Sequence, residues 1–264
     1  MQHNVFFSIP FASRIDEASW ELKDRLLGYT LRSILRQTDP NFTVLLACHD
    51  RPTCQEMTDA RVEFIKADFE RATDPSQFMA DKSRKRRLTA NIVKARGGGY
   101  VVMQDGDDIL SRNLVKFFRE TNSPHGYIYP TGYVMDFATH FIAPVPGAWR
   151  KTFDRVCGSS AAIYFAPEDI GAYFAPEDIG GAKPYFQLFS QHSRWAGTAS
   201  GQGRPLTEVP FPACIYMQNT SANLSAQLEQ RSEERVAKLM NTIRTKTVPV
   251  TPTMIDEFSL DWLR

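Results

Sequence analysis

The segment Val101–Leu110 (VVMQDGDDIL) joins an apolar run to a turn that carries three carboxylates within four positions. The apolar run predicts a buried strand at 100–103. Crowded like charges are costly unless a cation offsets them, and magnesium and manganese prefer carboxylate oxygens. The segment therefore predicts a divalent-metal site at Asp105, Asp107 and Asp108. An acidic surface turn is the alternative, but it accounts for one aspartate more easily than for three.

Strands and helices are predicted to alternate before this segment. Helical spacing of Trp20, Leu27 and Leu31, for example, predicts a helix with one apolar face. The predicted strands cover 5–9, 43–47, 62–65 and 100–103, and the predicted helices cover 20–37, 53–61 and 81–96. This alternation indicates an α/β, Rossmann-like fold, a mainly parallel sheet with helices on both faces. We expect its ligand site at the carboxyl ends of the strands.

The chain after the acidic turn is less regular. Ser111 is predicted to cap a helix through Phe118. Further strands are predicted within 127–137 and at 160–165, and further helices at 224–245 and 256–263. No linker-like stretch interrupts the chain, so we expect a single domain over 1–264, with a first half at 1–122 and a second at 123–264.

One octapeptide, YFAPEDIG, covers 164–171 and occurs again at 173–180. Repeat folds need several copies of about 20 residues or more, so a local tandem duplication is the better interpretation. Ala-Pro-Glu-Asp suits a helix start, because proline fits the first turn and acids fit the positive end of the helix dipole. Helix capping is therefore the alternative to catalysis for four acids: Glu168, Asp169, Glu177 and Asp178.

Composition excludes several classes of protein. The 264 residues include 31 Lys and Arg and 30 Asp and Glu, a formal net charge of +1, so no general attraction to nucleic acid is expected. Four cysteines without C-x-x-C spacing favour reduced thiols: Cys48, Cys54, Cys157 and Cys214. No run approaches the roughly 18 apolar residues of a membrane helix, and the first residues do not read as a signal peptide. We expect a soluble, cytoplasmic protein.

Two further features carry charge near the predicted strand ends. Asp50 follows the second strand, where a carboxylate can accept hydrogen bonds from a base or a ribose, although a turn before Pro52 is equally good. A basic run opens the third helix, at Lys82, Arg84, Lys85, Arg86 and Arg87. It could hold a diphosphate, form a solvated helix face or contact an anionic membrane surface peripherally.

Three segments resemble the nucleotide-sugar half of GT-A glycosyltransferases of the family 2 type. They are 33–42 (SILRQTDPNF), the strand that ends at Asp50, and 104–110 (QDGDDIL). The resemblance covers about residues 1–120 and is greatest to bacterial rhamnosyltransferases. It implies a GT-A-like fold, a nucleotide-diphospho-sugar donor, a carbohydrate acceptor, Mn²⁺ or Mg²⁺, and polysaccharide biosynthesis. Because family 2 enzymes invert the anomeric centre, an enzymatic base must activate the acceptor hydroxyl.

The resemblance also implies roles for individual residues. Donor binding would fall to Pro10, Asp50, Lys82, Arg86, Asp105 and Gly106, and metal binding to Asp105, Asp107 and Asp108. The segment 157–160 (CGSS) resembles the acceptor loop, which implies acceptor contacts at Gly158, Ser159 and Ser160. Candidate bases are Glu168, Asp169, Glu177, Asp178 and His192. A structural role is the alternative for His192, and core packing is the alternative to sugar stacking for Trp195.

Other classes fit the sequence less well. The chain contains no G-x-x-x-x-G-K-[ST] phosphate loop, and its glycines do not form a dinucleotide fingerprint. The second strand ends in Cys-His-Asp-Arg-Pro, whereas the family usually has two acids there. The alternative function is a metal-dependent sugar- or nucleotide-binding module that keeps the fold but has no transferase activity.

Overall fold

A seven-stranded, mostly parallel sheet forms the centre of the computed structural model, which describes residues 3–171, 184–220 and 233–263. Its strands are β1 Val5–Pro10, β2 Thr43–Cys48, β3 Val62–Lys66, β4 Gly99–Met103, β6 Gly126–Ile128, β9 Ala161–Phe165 and β10 Thr207–Glu208. Their order is β10-β6-β9-β4-β1-β2-β3. Among these strands β9 alone is antiparallel to both neighbours, β4 and β6.

A second, four-stranded sheet adjoins the first through the acidic turn. It contains β5 Ile109–Leu110, β7 Gly132–Asp136, β8 Ile142–Val145 and β11 Cys214–Gln218, in the order β5-β11-β7-β8. Because β4 belongs to the large sheet and β5 to the small one, the five residues Gln104–Asp108 connect the two sheets. The turn with the three aspartates is therefore anchored by a strand at each end.

The helices are α1 Glu17–Leu35, α2 Phe78–Ala95, α3 Leu114–Thr121, α4 Pro167–Ile170, α5 Trp195–Gly201, α6 Glu233–Thr245 and α7 Pro252–Phe258. Helix α1 begins where the Asp16 side chain accepts a hydrogen bond from Ser19 N at 2.9 Å. Within the described residues, no helix combines the length and apolar character that a membrane span requires.

Helices bury both faces of the large sheet. Phe7 and Ile9 of β1 share a core with Leu31 of α1. Phe6 instead belongs, with Val93 of α2, to a second core on the other face of the sheet, the α2-side core. Successive strand residues point to opposite faces, so a strand covered on both sides is mostly apolar, as β1, β2 and β4 are. The predicted α/β class with a mainly parallel sheet is confirmed, and the architecture is compatible with a Rossmann-like fold.

In the first half, the helix predicted at 53–61 is shorter than expected, and the N-cap predicted for α3 was wrong. The segment 53–61 forms only the 3-10 turn Gln55–Thr58, because the Asp24 carboxylate accepts the Thr53 and Cys54 N–H groups outside any helix. Ser111 does not cap α3, which follows Asn113. The Ser111 N–H instead continues the strand pairing by donating to Ala213 O at 2.9 Å.

The last predicted helix is displaced. It begins at Pro252 rather than 256, because Thr251 Oγ1 accepts from Met254 N. It ends at Phe258, where Ser259 adopts a left-handed φ of 55°, and a 3-10 turn follows at Asp261–Leu263. Of the helix predicted at 224–245, the part at Glu233–Thr245 is observed, and 221–232 lie outside the described residues.

Candidate active site

A cavity of about 340 Å³ lies at the carboxyl ends of β1 and β4. The segments 10–13 and 105–107, which follow these two strands, line it together with Gly158. The other polar residues lining it are Lys23, Asp81, Lys82, Arg86, Ser190 and His192, and the larger apolar ones are Ile15, Leu26, Phe78, Met79, Trp195 and Tyr216. Parallel α/β sheets bind ligands at this edge.

Asp105 lies between two cations of α2. Its Oδ1 is 2.6 Å from Lys82 Nζ and 4.0 Å from an Arg86 guanidinium nitrogen. Burial alone would raise the pKa of Asp105, but Lys82 and Arg86 outweigh burial and lower it. Asp105 is therefore an anion at neutral pH. Asp107 lines the same cavity, so two carboxylates of the acidic turn reach one space.

Asp108 points into the protein interior instead. It is 1% exposed, and its carboxylate accepts from Ser159 Oγ at 2.6 Å, Cys157 Sγ at 3.3 Å and Met217 N at 3.2 Å. Burial, followed by the charges of Asp107 and Asp105, raises the pKa of Asp108 well above its ordinary value. Asp108, Cys157 and Cys214 also form a buried group with ligand atoms within 4.8 Å of one another.

The CGSS loop contacts the acidic turn directly. Ser159 Oγ accepts from Asp105 N at 2.9 Å while donating to Asp108. A Cβ atom at Gly158 would lie 2.8 Å from Asp105 Oδ2, so only glycine lets the loop approach this carboxylate. Ser160 is fully buried, and within the part of the chain that the structure describes its hydroxyl has no hydrogen-bond partner. The CGSS loop is therefore part of the site.

Gly106 has a packing role. A Cβ atom there would lie 2.6 Å from Cδ2 of Phe11, so the acidic turn packs on the Phe11 ring only because position 106 lacks a side chain. Phe11 follows Pro10 at the end of β1. Glycine at position 106 thus allows the acidic turn to pack closely against Phe11. Both Phe11 and Gly106 line the cavity.

His192 lines the cavity beside the aspartate–cation cluster. Burial lowers the pKa of His192; Lys82 and Arg86 lower it further, while Asp105 and Asp154 raise it, and the balance lies below the usual 6.5. The imidazole is therefore neutral at pH 7. Trp195 is 1% exposed and packs in the α2-side core. The Arg86 guanidinium lies 5.9 Å from the centre of its ring.

Asp50 lies apart from the residues that line the cavity. Among the described residues that line the cavity it does not appear, and its carboxylate accepts from Arg14 N at 2.9 Å and Arg71 at 2.8 Å. Burial would raise the pKa of Asp50, but the Arg14 N–H and the Arg71 guanidinium outweigh it and lower the pKa. Asp50 thus fastens the loops that follow β1 and β3.

The Glu168–Asp169 pair lies at the opposite end of the sheet from the cavity. Strand β9 is antiparallel to β4, with Phe165 opposite Gly99 at the start of β4, and α4 follows it there. Asp169 accepts from Ala166 N at 2.9 Å and from Arg204 at 2.8 Å, while Glu168 is exposed. The capping interpretation fits Asp169. Glu177 and Asp178 lie outside the described residues.

Lys23, Asp81 and Tyr216 are among the cavity residues that sequence reasoning missed. Asp81 and Lys85 form an ion pair of 2.6 Å at i,i+4 spacing on α2. This spacing is a local signal of a pair, but it does not show that Lys85 is buried. Lys23 lies three positions after Trp20 and four before Leu27, so helical spacing places it on the buried face of α1, but a lysine in this pattern was not recognised as a cavity residue.

No protein-family model matches the chain, and no curated protein matches it. The geometry of the cavity and the motif resemblance are therefore the two supports for a function.

Proposed function

We propose that the protein is a metal-dependent glycosyltransferase that moves a sugar from a nucleotide-diphospho-sugar to a carbohydrate acceptor with inversion. The observation that carries the proposal is the convergence of Asp105, Asp107, Lys82, Arg86 and His192 in one cavity at the carboxyl ends of β1 and β4. Together they offer carboxylates for a cation, cations for an anionic ligand and a neutral imidazole for a proton.

The donor set suits a hard divalent cation. Asp105 and Asp107 present carboxylates to the cavity, and the effect of both charges on the pKa of Asp108 places the three acids close together. A cation would relieve that repulsion. Asp108 is a poorer ligand, because its oxygens already accept from Ser159, Cys157 and Met217 N. We therefore assign Mg²⁺ or Mn²⁺ to Asp105 and Asp107.

Each remaining group has a task in an inverting transfer. His192 accepts the proton of the acceptor hydroxyl, whose oxygen bonds to the anomeric carbon while the bond from that carbon to the diphosphate oxygen breaks. The nucleoside diphosphate leaves with the electron pair, and Lys82 and Arg86 stabilise its charge. A bound Mg²⁺ or Mn²⁺ would supply further charge neutralisation at the diphosphate.

The GT-A assignment within the Rossmann-like architecture belongs to this proposal. It is supported by the order of the motifs at 33–42, Asp50 and 104–110 and by the position of the acidic turn between the two sheets. The rhamnosyltransferase subgroup and a role in polysaccharide biosynthesis follow from the resemblance and extend the proposal. A cytoplasmic location, which the scattered cysteines favour, extends it as well. Each Asp50 oxygen accepts one hydrogen bond, from Arg14 N or from Arg71, and retains a further acceptor position for a nucleobase.

A thermal-shift screen tests the proposal. UDP, GDP and dTDP are each added with and without manganese, followed by a transfer assay with the matching nucleotide-sugars. We expect one nucleotide to raise Tm only with manganese, and Asp107→Asn to lose this shift. Asp59→Asn is the control, because Asp59 pairs with Arg61 beside β3. Binding without turnover of any nucleotide-sugar would favour the binding module, and binding of free sugar alone would reject the transferase.

A further inference from the structure

A fully buried lysine joins the loop after β1 to helix α2. Lys85 is 0% exposed, and its Nζ donates to Phe11 O at 2.8 Å, Ser13 Oγ at 2.9 Å and Asp81 Oδ2 at 2.6 Å. An ammonium group has three hydrogens, so each one has an acceptor. A buried charge is tolerated under these conditions, with a carboxylate partner and its remaining donors satisfied.

The hydrogen bonds also determine the state of His49. Lys85 can only donate, so Ser13 Oγ accepts from it and can give its own hydrogen to His49 Nδ1, 2.7 Å away. His49 Nε2 lies 2.9 Å from Phe69 O and must donate to it. His49 therefore carries a hydrogen on Nε2, and in the neutral ring Nδ1 accepts from Ser13. This agrees with its pKa, which burial lowers below the usual value.

This network gathers the loops that follow three neighbouring strands. Phe11 and Ser13 follow β1, His49 follows β2 and Phe69 follows β3. Phe11 and Ser13 accept directly from one ammonium on α2, His49 is linked to it through Ser13, and Phe69 O is linked through Ser13 and His49. Such a network resists displacement because moving one loop leaves buried polar groups without partners.

Along α2, Lys85 lies between Lys82 and Arg86, two cations that line the cavity. Lys82 and Arg86, three positions before and one after it on α2, contact Asp105, while Phe11 and Ser13 line the same cavity. The Lys85 bonds to Phe11 O and Ser13 Oγ thus fix the distance between the β1 loop and the two cations.

We infer that Lys85 is a positioning residue, which holds segment 11–13 as a wall of the cavity and thereby sets the affinity for the anionic ligand. The identity of that ligand as a nucleoside diphosphate rests on the proposed function. Lys85 itself has no hydrogen left for a ligand, so its effect is exerted through Phe11 and Ser13.

The test must separate positioning from mere stabilisation. Lys85→Met removes the three hydrogen bonds but leaves the Asp81 carboxylate buried without its partner. Lys85→Met combined with Asp81→Asn removes both charges and serves if the single variant fails to fold. Val93→Ala is the matched control, because Val93 is a fully buried residue of α2 that lies in the α2-side core and outside the cavity lining.

Hydrogen–deuterium exchange is measured on all these proteins without ligand. We expect Lys85→Met, or the double variant, to speed amide exchange within 11–16 by about tenfold or more, because local opening becomes easier. Val93→Ala should leave this segment unchanged while lowering Tm. Unchanged exchange of 11–16 in the Lys85 variants would overturn the inference, whatever the protein binds.

Calorimetry then measures affinity for the nucleoside diphosphate selected by the thermal-shift screen, with manganese and well below Tm. We expect about a tenfold loss in the Lys85 variants and none in Val93→Ala. Faster exchange with unchanged affinity would overturn the link between Lys85 and the cavity. If the wild type binds none of the nucleotides, the proposed function fails, and the exchange data still decide whether Lys85 holds the loop.

Discussion

Lys82 of α2 and Asp105 of the turn after β4 are joined by an ion pair of 2.6 Å. The two residues come from different elements, and their pairing links helix α2 to the acidic turn in the lining of the cavity. Lys82, together with Arg86, keeps the pKa of Asp105 low despite burial. A cation that binds Asp105 therefore shares this carboxylate with Lys82, and an anionic ligand meets Lys82 and Arg86 beside it.

Replacing Lys82 by Met should weaken nucleoside diphosphate binding by about tenfold or more. A hydrogen bond to a charged group contributes about 1.5–3 kcal/mol, and about 1.4 kcal/mol is a factor of ten in affinity. Calorimetry measures the change, with Lys116→Met as control because that lysine pairs with Glu120 on α3. Equal affinity of Lys82→Met and wild type would remove Lys82 from the site.

Gly158→Ala should impair the site with little loss of stability. Its Cβ would lie 2.8 Å from Asp105 Oδ2, so either the carboxylate or the CGSS loop must move, and we expect at least about a tenfold loss of transfer rate. Gly197→Ala is the matched control: its Cβ meets nothing within 4 Å on α5, where alanine favours the helix. Steady-state kinetics measures the transfer rate of both variants, and thermal unfolding measures their stability. Full activity of Gly158→Ala would contradict this account of the loop.

His192 should make transfer depend on pH. A base must be neutral, and the pKa of His192 is lowered from 6.5, chiefly by burial. The rate should therefore be constant near neutrality and fall as pH drops through this lowered pKa, where the imidazole is protonated. His192→Gln should lower kcat by about 10²–10⁴-fold and retain donor affinity. A pH–rate profile of both proteins checks this, and an unchanged acid limb in His192→Gln would exclude the histidine as base.

Asp169 should matter for stability and not for transfer. Its carboxylate caps α4 at Ala166 N and pairs with Arg204, at the end of the sheet away from the cavity. Asp169→Ala should lower the free energy of unfolding by about 1–3 kcal/mol, and Glu168→Ala, at an exposed position, should change it little. Denaturant unfolding and kinetics separate the two effects. Loss of transfer in Asp169→Ala at unchanged stability would restore this acid as a candidate base.

The central strands β1, β2 and β4 were predictable because they are buried on both faces and are therefore mostly apolar. The residues of β4 alternate between the two cores, with Val101 on one side and Val102 on the other, and this leaves a continuous apolar run in the sequence. Helix ends were less predictable. Ser111 has a good capping side chain, but its backbone remains in strand pairing with Ala213, and only the tertiary structure provides that partner.

The cluster of acids was predictable, but the direction of each side chain was not. Asp105 and Asp107 reach the cavity, whereas Asp108 turns inward to a serine and a cysteine about 50 positions later. Similarly, Lys85 is one of five basic residues close in sequence and yet is fully buried. Such differences arise from long-range packing, which local spacing does not contain.

Anomalous scattering from crystals soaked with manganese and the selected nucleoside diphosphate tests the central claim most directly. We predict a manganese peak coordinated by the Asp105 and Asp107 carboxylates, with the diphosphate beside Lys82 and Arg86, and no peak in Asp107→Asn crystals. A well-occupied nucleotide elsewhere, or a cavity without manganese at saturating concentration, would contradict the assignment of this site.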